Sequence, residues 1–220
     1  FPSAAIRKCR LEFGEPAIVM GQGILGQLAV MLLKCAGATP VIAADPVAAK
    51  REQALKIGAD LAFDPTAVDF KRKVLDACPL ADCGIYTGER ACGVKVAIEV
   101  TGLGAGLNNV LDVMAPMGRV ALLGCTRNSD FSVDYYHKVH GRGVALFGAH
   151  TWARPTNESS SGHFTHRDDA QTFLKLLSLG RLSVDGYVAE VHSPADCGVV
   201  YARLAKGGMF PITQFDWSKF

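Results

Sequence analysis

A chain of 220 residues has room for one large domain, or one and a half, and at 49% hydrophobic residues it can bury a sizeable core. Its formal net charge of +2 and lack of any dense basic run exclude a nucleic-acid footprint; Arg7-Lys8-Cys9-Arg10 and Lys71-Arg72-Lys73 read as solvated helix faces. No apolar run reaches the roughly 18 residues of a membrane span. No secretory leader pattern is present, and the seven cysteines, scattered without a C-x-x-C pair, read as free thiols of a cytoplasmic chain. Phe1 is not an initiator methionine, so a processed chain or a fragment is expected.

Phe1 to Arg10 reads as a short helix, and Leu11 to Pro16 as a turn. Ala17-Ile-Val-Met20 is a strand, Gly21-Gln-Gly-Ile-Leu-Gly26 a glycine turn, and Ile24 to about Ala36 an apolar helix. Strand, G-x-G-x-x-G turn and helix in that order form a dinucleotide-binding fingerprint. Gly21 permits the tight turn, Gly23 lets backbone approach a pyrophosphate, and Gly26 lets the helix pack closely. The helix N-terminus offers N–H groups and partial positive charge to the phosphates. Pro40-Val-Ile-Ala-Ala44 follows as a second strand ending in Asp45, about 20 residues beyond the glycines, where an acid binds ribose hydroxyls.

Val47 to Gly58 reads as a helix with its alanines, Leu55 and Ile57 turned inward, and Leu61 to Phe63 as the third strand. Asp64-Pro-Thr66 opens a helix from Ala67 to about Ala77. Cys78 to Gly93 is irregular, and Cys78, Cys83 and Cys92 lack the spacing of a zinc site. Val94 to Val100 is the fourth strand, Leu107 to Met114 a helix, and Pro116-Met-Gly118 a turn into the fifth strand, Arg119 to Leu123. Val133 to His140 reads as a helix and Gly143 to Phe147 as the sixth strand. Strands alternating with helices imply an α/β fold, a doubly wound, six-stranded parallel Rossmann sheet. Thr151 to Gly162 is a polar loop. Beyond it, helices at Arg167–Leu179 and Ala195–Lys206 and strands at Tyr187–Val191 and Ile212–Phe215 form an α+β tail that does not continue the rhythm.

Taken together and in order, Val19-Met-Gly-Gln-Gly-Ile-Leu-Gly26, Ala44-Asp45, Ile57-Gly-Ala-Asp60, Ala97-Ile-Glu-Val-Thr-Gly102, Gly118-Arg-Val-Ala-Leu-Leu-Gly124 and Phe210-Pro to Phe215-Asp-Trp217 resemble the medium-chain, zinc-dependent alcohol dehydrogenases of the sorbitol and threonine dehydrogenase type. The resemblance covers nearly the whole chain. It implies that residues 11–155 form an NAD-binding domain. Residues 1–10 and 156–220 would belong to a GroES-like catalytic domain whose first cysteine ligand, His-Glu pair and four-cysteine zinc loop have no counterpart here. Zinc is therefore expected in the full-length enzyme, with no metal ligand in this chain.

By the same resemblance, Gly21, Gly23 and Gly26 with the backbone of Ile24 and Leu25 hold the pyrophosphate, and Asp45 binds the adenosine ribose. Lys50 is either a basic neighbour of that ribose or a solvated lysine. Thr101 and Gly102 lie near the adenosine. Leu123, Gly124 and Cys125 offer backbone to the nicotinamide amide, and Ala149 and His150 lie beside the nicotinamide and a neighbouring subunit. A relay role for His150 is weighed against a structural one, and Cys125 reads as a small apolar residue because no activating base can be placed beside it. No catalytic residue is assigned. The expected activity is hydride transfer between NAD and a secondary alcohol (a polyol, sugar or amino alcohol). The alternatives are a zinc-free, NADPH-dependent quinone reductase-type enzyme and a catalytically silent nucleotide-binding module. The expected assembly is a homodimer or tetramer joined through residues around 143 to 150, whose strand is expected at a sheet edge.

Overall fold

The computed structural model describes residues 1–79, 91–125, 131–206 and 212–220. They form two compact units, Phe1–Ser178 and Leu179–Phe220. In the first, six strands make one parallel sheet: β1 (Ala17–Met20), β2 (Val41–Ala44), β3 (Leu61–Phe63), β4 (Val94–Glu99), β5 (Met114–Leu122) and β6 (Ala145–Gly148). Their order is β3-β2-β1-β4-β5-β6. The expected doubly wound Rossmann sheet is therefore present, and its order reverses between β1 and β4, where such sheets open a crevice at the strand C-termini.

Burial explains why these short runs become strands. Every residue of β1 and β2 is buried, as expected of parallel strands covered on both faces. Ile18, Met20 and Ile42 pack with Phe70 and Val74 of α4 (Phe70–Ala77) and with Val110 and Leu111 of α5 (Gly104–Asp112). The helix after the fingerprint, α2 (Ile24–Cys35), packs on β1 and β2, and α1 (Pro2–Lys8) packs on α2, β4 and β5. Fully burying a side chain such as Ile18, Ile42 or Leu111 contributes about 1.5–3 kcal/mol each.

Several expected boundaries move, each for a visible reason. The helix expected over Leu107 to Met114 is α5, which starts earlier and ends at Asp112, because Met114 already pairs with Val94. Pro116-Met-Gly118 does not precede β5 but interrupts it as a bulge between the Val94–Met114 and Val96–Arg119 pairs. Proline has no ladder N–H to give, and Met117 adopts φ 58°. Gly118 has no room for a Cβ, which would stand 2.9 Å from the Ala115 carbonyl oxygen.

On α3 (Ala48–Lys56) only Ala54 is buried; Ala48, Ala49 and Leu55 face solvent, and Ile57 is half-buried. The helix expected from Ala67 starts at Phe70, because Asp64 folds residues 64–67 into their own turn by accepting from the Thr66 N–H and hydroxyl. The helix expected over Val133 to His140 is a single wide turn, Tyr136–His140, at whose start Asp134 accepts from the His137 N–H. Residues 80–90, and Cys83 with them, lie outside the described residues.

The rest of the chain contributes α6 (His166–Ser178) to the first unit and β7 (Glu190–His192), α7 (Cys197–Ala205) and β8 (Thr213–Phe215) to the second. β7 and β8 form a two-stranded parallel sheet, fastened by Arg203 paired with Glu190 and by Tyr201 stacked on Phe215. Two strands alone are marginal in water, and this unit leaves Val199, Tyr201 and Trp217 exposed. Among the described residues, no helix is long and apolar enough to cross a membrane.

Candidate functional site

The C-terminal ends of the parallel strands bring the sequence-singled residues to one edge of the sheet. At the end of β1, Gly21 takes φ +95°, a conformation that favours glycine, and its N–H donates to the Ala44 carbonyl (2.7 Å). Gly26 carries a different constraint: a Cβ there would stand 1.9 Å from the Gly21 carbonyl oxygen, so its role is to close the helix onto its own turn. Gly23 is exposed, and a Cβ would meet nothing within 4 Å. Its lack of a side chain answers to nothing inside the protein and leaves a bare backbone surface at the start of α2, where no side chain caps the helix.

Asp45 follows β2 and is buried, 5% exposed. Its Oδ2 accepts from the Gln22 N–H (2.8 Å) and its Oδ1 from the Val47 N–H (2.9 Å), and the Lys50 ammonium stands 3.9 Å away. The carboxylate thus ties the fingerprint turn to the β2–α3 corner. Arg51 grips the same corner by donating to the carbonyls of Asp45 (2.7 Å) and Pro46 (2.8 Å). Gln22 is fully buried; its Nε2 donates to the Val19 carbonyl (3.0 Å), while its Oε1 has no hydrogen-bond partner among the described residues.

Across the switch point, Thr101 and Gly102 follow β4, and a residue not singled out from the sequence organises them. Glu99 is buried, and its carboxylate accepts from the Thr101 N–H (2.8 Å), the Thr101 hydroxyl and the Gly102 N–H (3.1 Å). Its backbone carbonyl accepts from the N–H groups of Leu123 and Gly124, both at 2.8 Å. A Cβ on Gly124 would stand 2.1 Å from the Gly102 nitrogen and 2.9 Å from Glu99 Oε2. A Cβ on Gly21 would stand 2.8 Å from Thr101 Cγ2, so the loops after β1, β4 and β5 touch. The sequence does carry a signal for this hub: a lone acid closing the otherwise apolar run Val96-Ala-Ile-Glu99 of a central strand.

The remaining candidates lie at the ends of β5 and β6. Cys125 is exposed. Ala149 is buried and its N–H donates to the Leu122 carbonyl (3.0 Å). His150 is exposed, and its Nδ1 accepts from the Trp152 N–H (3.3 Å). Among the described residues no group of three or more His, Cys, Asp or Glu converges as a metal site. Cys78 has its thiol pushed up to about 12 by burial and by the charge of Cys92, which keeps it protonated.

A doubly wound sheet whose switch point carries a glycine fingerprint, a buried acid after β2 and a closely packed β4–β5 corner defines a nucleotide-binding domain of the dehydrogenase class. The family model described as "Zinc-binding dehydrogenase" matches residues 25–160, more than half of the chain, and the chain belongs to this family, the zinc-dependent medium-chain alcohol dehydrogenases. It is 28% identical over 186 residues to L-threonine 3-dehydrogenase of Pyrococcus abyssi, covering 83% of this chain and 46% of that protein. It is 30% identical over 198 residues to D-guloside 3-dehydrogenase of Escherichia coli, covering 88% and 53%. The chain thus spans about half the length of the curated relatives it matches.

Solved structures show the same fold. Acetophenone reductase from Geotrichum candidum in complex with NAD aligns with a TM-score of 0.69 at 18% identity, over 100% of this chain and 53% of that one. A zinc-binding dehydrogenase from Sinorhizobium meliloti bound to NADP aligns with a TM-score of 0.67 at 23% identity, over 90% and 52%.

Proposed function

We propose that this chain is the cofactor-binding part of an NAD-dependent dehydrogenase acting on a secondary alcohol: a polyol, a sugar or an amino alcohol. In this reading, residues 11–155 are the NAD-binding domain, and residues 1–10 and 156–220 complete a GroES-like catalytic domain. The observation that carries the reading is the contrast among the fingerprint glycines. Gly21 and Gly26 are required by the protein's own packing, whereas Gly23 faces open space beside an uncapped helix N-terminus. A side chain missing only on the ligand side is what a pyrophosphate cradle needs.

The residues fit NAD. The turn and the first N–H groups of α2, including those of Ile24 and Leu25, face the pyrophosphate. The Asp45 carboxylate, fixed by two backbone donors, still has acceptor capacity for the adenosine ribose hydroxyls, and its charge disfavours a 2′-phosphate. Lys50 tempers that repulsion from 3.9 Å. Glu99 ties Thr101 and Gly102, on the adenosine side, to the end of β5, where Leu123, Gly124 and Cys125 offer backbone to the nicotinamide amide. His150 stays in a structural role, its Nδ1 taken by Trp152. When bound, NAD supplies the hydride acceptor, and zinc would polarise the alcohol oxygen. Zinc finds no fitting donor set among the described residues; its ligands, in this reading, come from another segment of the enzyme.

Titration with NAD and NADP, monitored by calorimetry or tryptophan fluorescence, tests the reading. NAD is expected to bind at least about tenfold tighter, the scale of one charge-assisted contact. Asp45→Ser is expected to remove most of that difference. Equal affinities for the two cofactors in the unmutated chain would overturn the NAD assignment, and no binding of either would overturn the nucleotide site.

A further inference from the structure

A groove between α1, α2 and α6 lies within the first unit, at the C-terminal end of α2 and so about 18 Å, the length of that helix, from the fingerprint. It encloses about 440 Å³, within the range of small-molecule sites. Ile6, Leu11, Leu32 and Leu176 make its apolar walls. Arg7 and Arg10 also line it, and both line an adjoining cavity of about 90 Å³, to which Lys8 and His163 contribute.

Cationic charge is in excess at that end. Asp169, the buried acid there, pairs with both Arg7 (3.1 Å) and Arg154 (3.3 Å), so one carboxylate faces two guanidiniums. Burial and the charge of Arg154 hold the Lys8 ammonium below its usual pKa. Arg7 is also engaged over the Phe164 ring, 3.7 Å from its centroid, and Lys8 donates to the Gly148 carbonyl. Arg10 differs: its side chain is exposed and without a hydrogen-bonding or ionic partner among the described residues. Its backbone is held at φ 47°, in the left-handed region, by its N–H donating to the Arg7 carbonyl (2.9 Å) and its own carbonyl accepting from Arg119 (3.1 Å). A non-glycine residue is strained in such a conformation and keeps it where surrounding structure fixes it. Arg10, with no side-chain partner among the described residues, is thus one of the residues lining this largely apolar groove.

We infer that this groove binds a small amphipathic anion, a carboxylate with a medium-chain apolar body. The carboxylate lies against Arg10, and the chain lies between Ile6, Leu11, Leu32 and Leu176. This inference does not depend on the nucleotide site.

Calorimetric titration of the 220-residue chain with octanoate, 1-octanol and acetate tests it. Octanoate is expected to bind at least about tenfold tighter than either partial mimic, because a single charge-assisted contact is worth about that factor. Arg10→Gly suits the positive φ and should fold normally, yet lose about tenfold in octanoate affinity. Leu176→Trp should fill the groove and abolish binding. Cys35 lines the groove, so octanoate should slow its alkylation by iodoacetamide, read by mass spectrometry, and leave exposed Cys125 unaffected. NAD affinity should be the same with and without octanoate, which keeps failure here separate from failure of the cofactor reading. Octanol binding as tightly as octanoate, undiminished binding by Arg10→Gly, or an unprotected Cys35 would each overturn the inference.

Discussion

Gly23 and Gly26 are three residues apart in one motif and answer to different masters. In the folded chain, a Cβ at 23 meets no atom within 4 Å, whereas a Cβ at 26 meets the Gly21 carbonyl. Gly23→Val is therefore expected to melt within a few degrees of the parent and to lose measurable NAD binding. Gly26→Ala is expected to lose roughly 1–3 kcal/mol of stability, the usual cost of overpacking, with binding weakened through the distorted turn. Thermal melting and NAD titration on the same samples check both; a Gly23→Val chain that binds NAD normally would reduce the motif to a turn. The fingerprint and Asp45 were legible because they occupy fixed positions in a strand–turn–helix unit. Glu99 was marked only by an acid closing an apolar strand: its bonds to residues 101 and 102 are local, but the N–H groups of Leu123 and Gly124 reach its carbonyl only after β4 and β5 have paired. Glu99→Gln should weaken NAD by several-fold while leaving the NAD-to-NADP ratio intact, since Asp45 is untouched; a changed ratio in the titrations would contradict this division of labour.

Elements were read well where apolar runs are buried on both sides and poorly where a local interaction stops a run early. β1, β2 and β3 match the expected strands because nothing polar competes inside them. β5 was misread because its first half is bulged by Pro116 and Gly118, and a proline-glycine pair in sequence looks the same at a turn and at a bulge. The chain just after α1 is fastened to this sheet through Arg119, while Lys8 of α1 itself donates to Gly148 of β6. Arg119 of β5 donates to the carbonyls of Cys9 and Arg10 and forms a two-pronged pair with Glu15. Burial alone would raise the Glu15 pKa, but the Arg119 hydrogen bond, the Glu12 N–H and the charges of Arg119 and Lys95 outweigh it and leave the group lowered from 4.5. A depressed carboxylate contributes stability above its unfolded pKa and loses it as pH falls through the folded value. Glu15→Gln is thus expected to cost about 1–2 kcal/mol at pH 7, with the gap to the parent closing below about pH 4.5. Urea titrations at pH 7 and pH 4 read this directly, and a pH-independent gap would mean that Glu15 acts through packing.

At the scale of the molecule, the parallel sheet ends in a strand with one neighbour. Among the described residues β6 pairs only with β5, and its outer edge is what we propose joins two copies of the chain into a homodimer, with a tetramer as the larger form. Not all of the expected apolar edge is available: Val144 is buried in the core, and its N–H donates to the Val139 carbonyl. Alternation of the strand backbone sorts the rest. The Ala149 N–H points to Leu122 of β5, so those of Phe147 and Ala145 point the same way, and the groups of Leu146 and Gly148 point outward. The Gly148 carbonyl takes the Lys8 ammonium (2.7 Å), in keeping with that sorting and with the use of lysine to blunt an edge. The exposed Leu146 then supplies the open pairing groups at the centre of the edge. Proline at 145 would cut β6 from β5 and say nothing about assembly. Proline at 146 removes only an outward donor and obstructs a second strand. Light scattering should give twice the chain mass for the parent and the single mass for Leu146→Pro, with a melting temperature within a few degrees of the parent's at matched monomer content. A dimer that survives Leu146→Pro would place the interface on another surface, and a monomeric parent would leave the β6 edge covered by solvent alone.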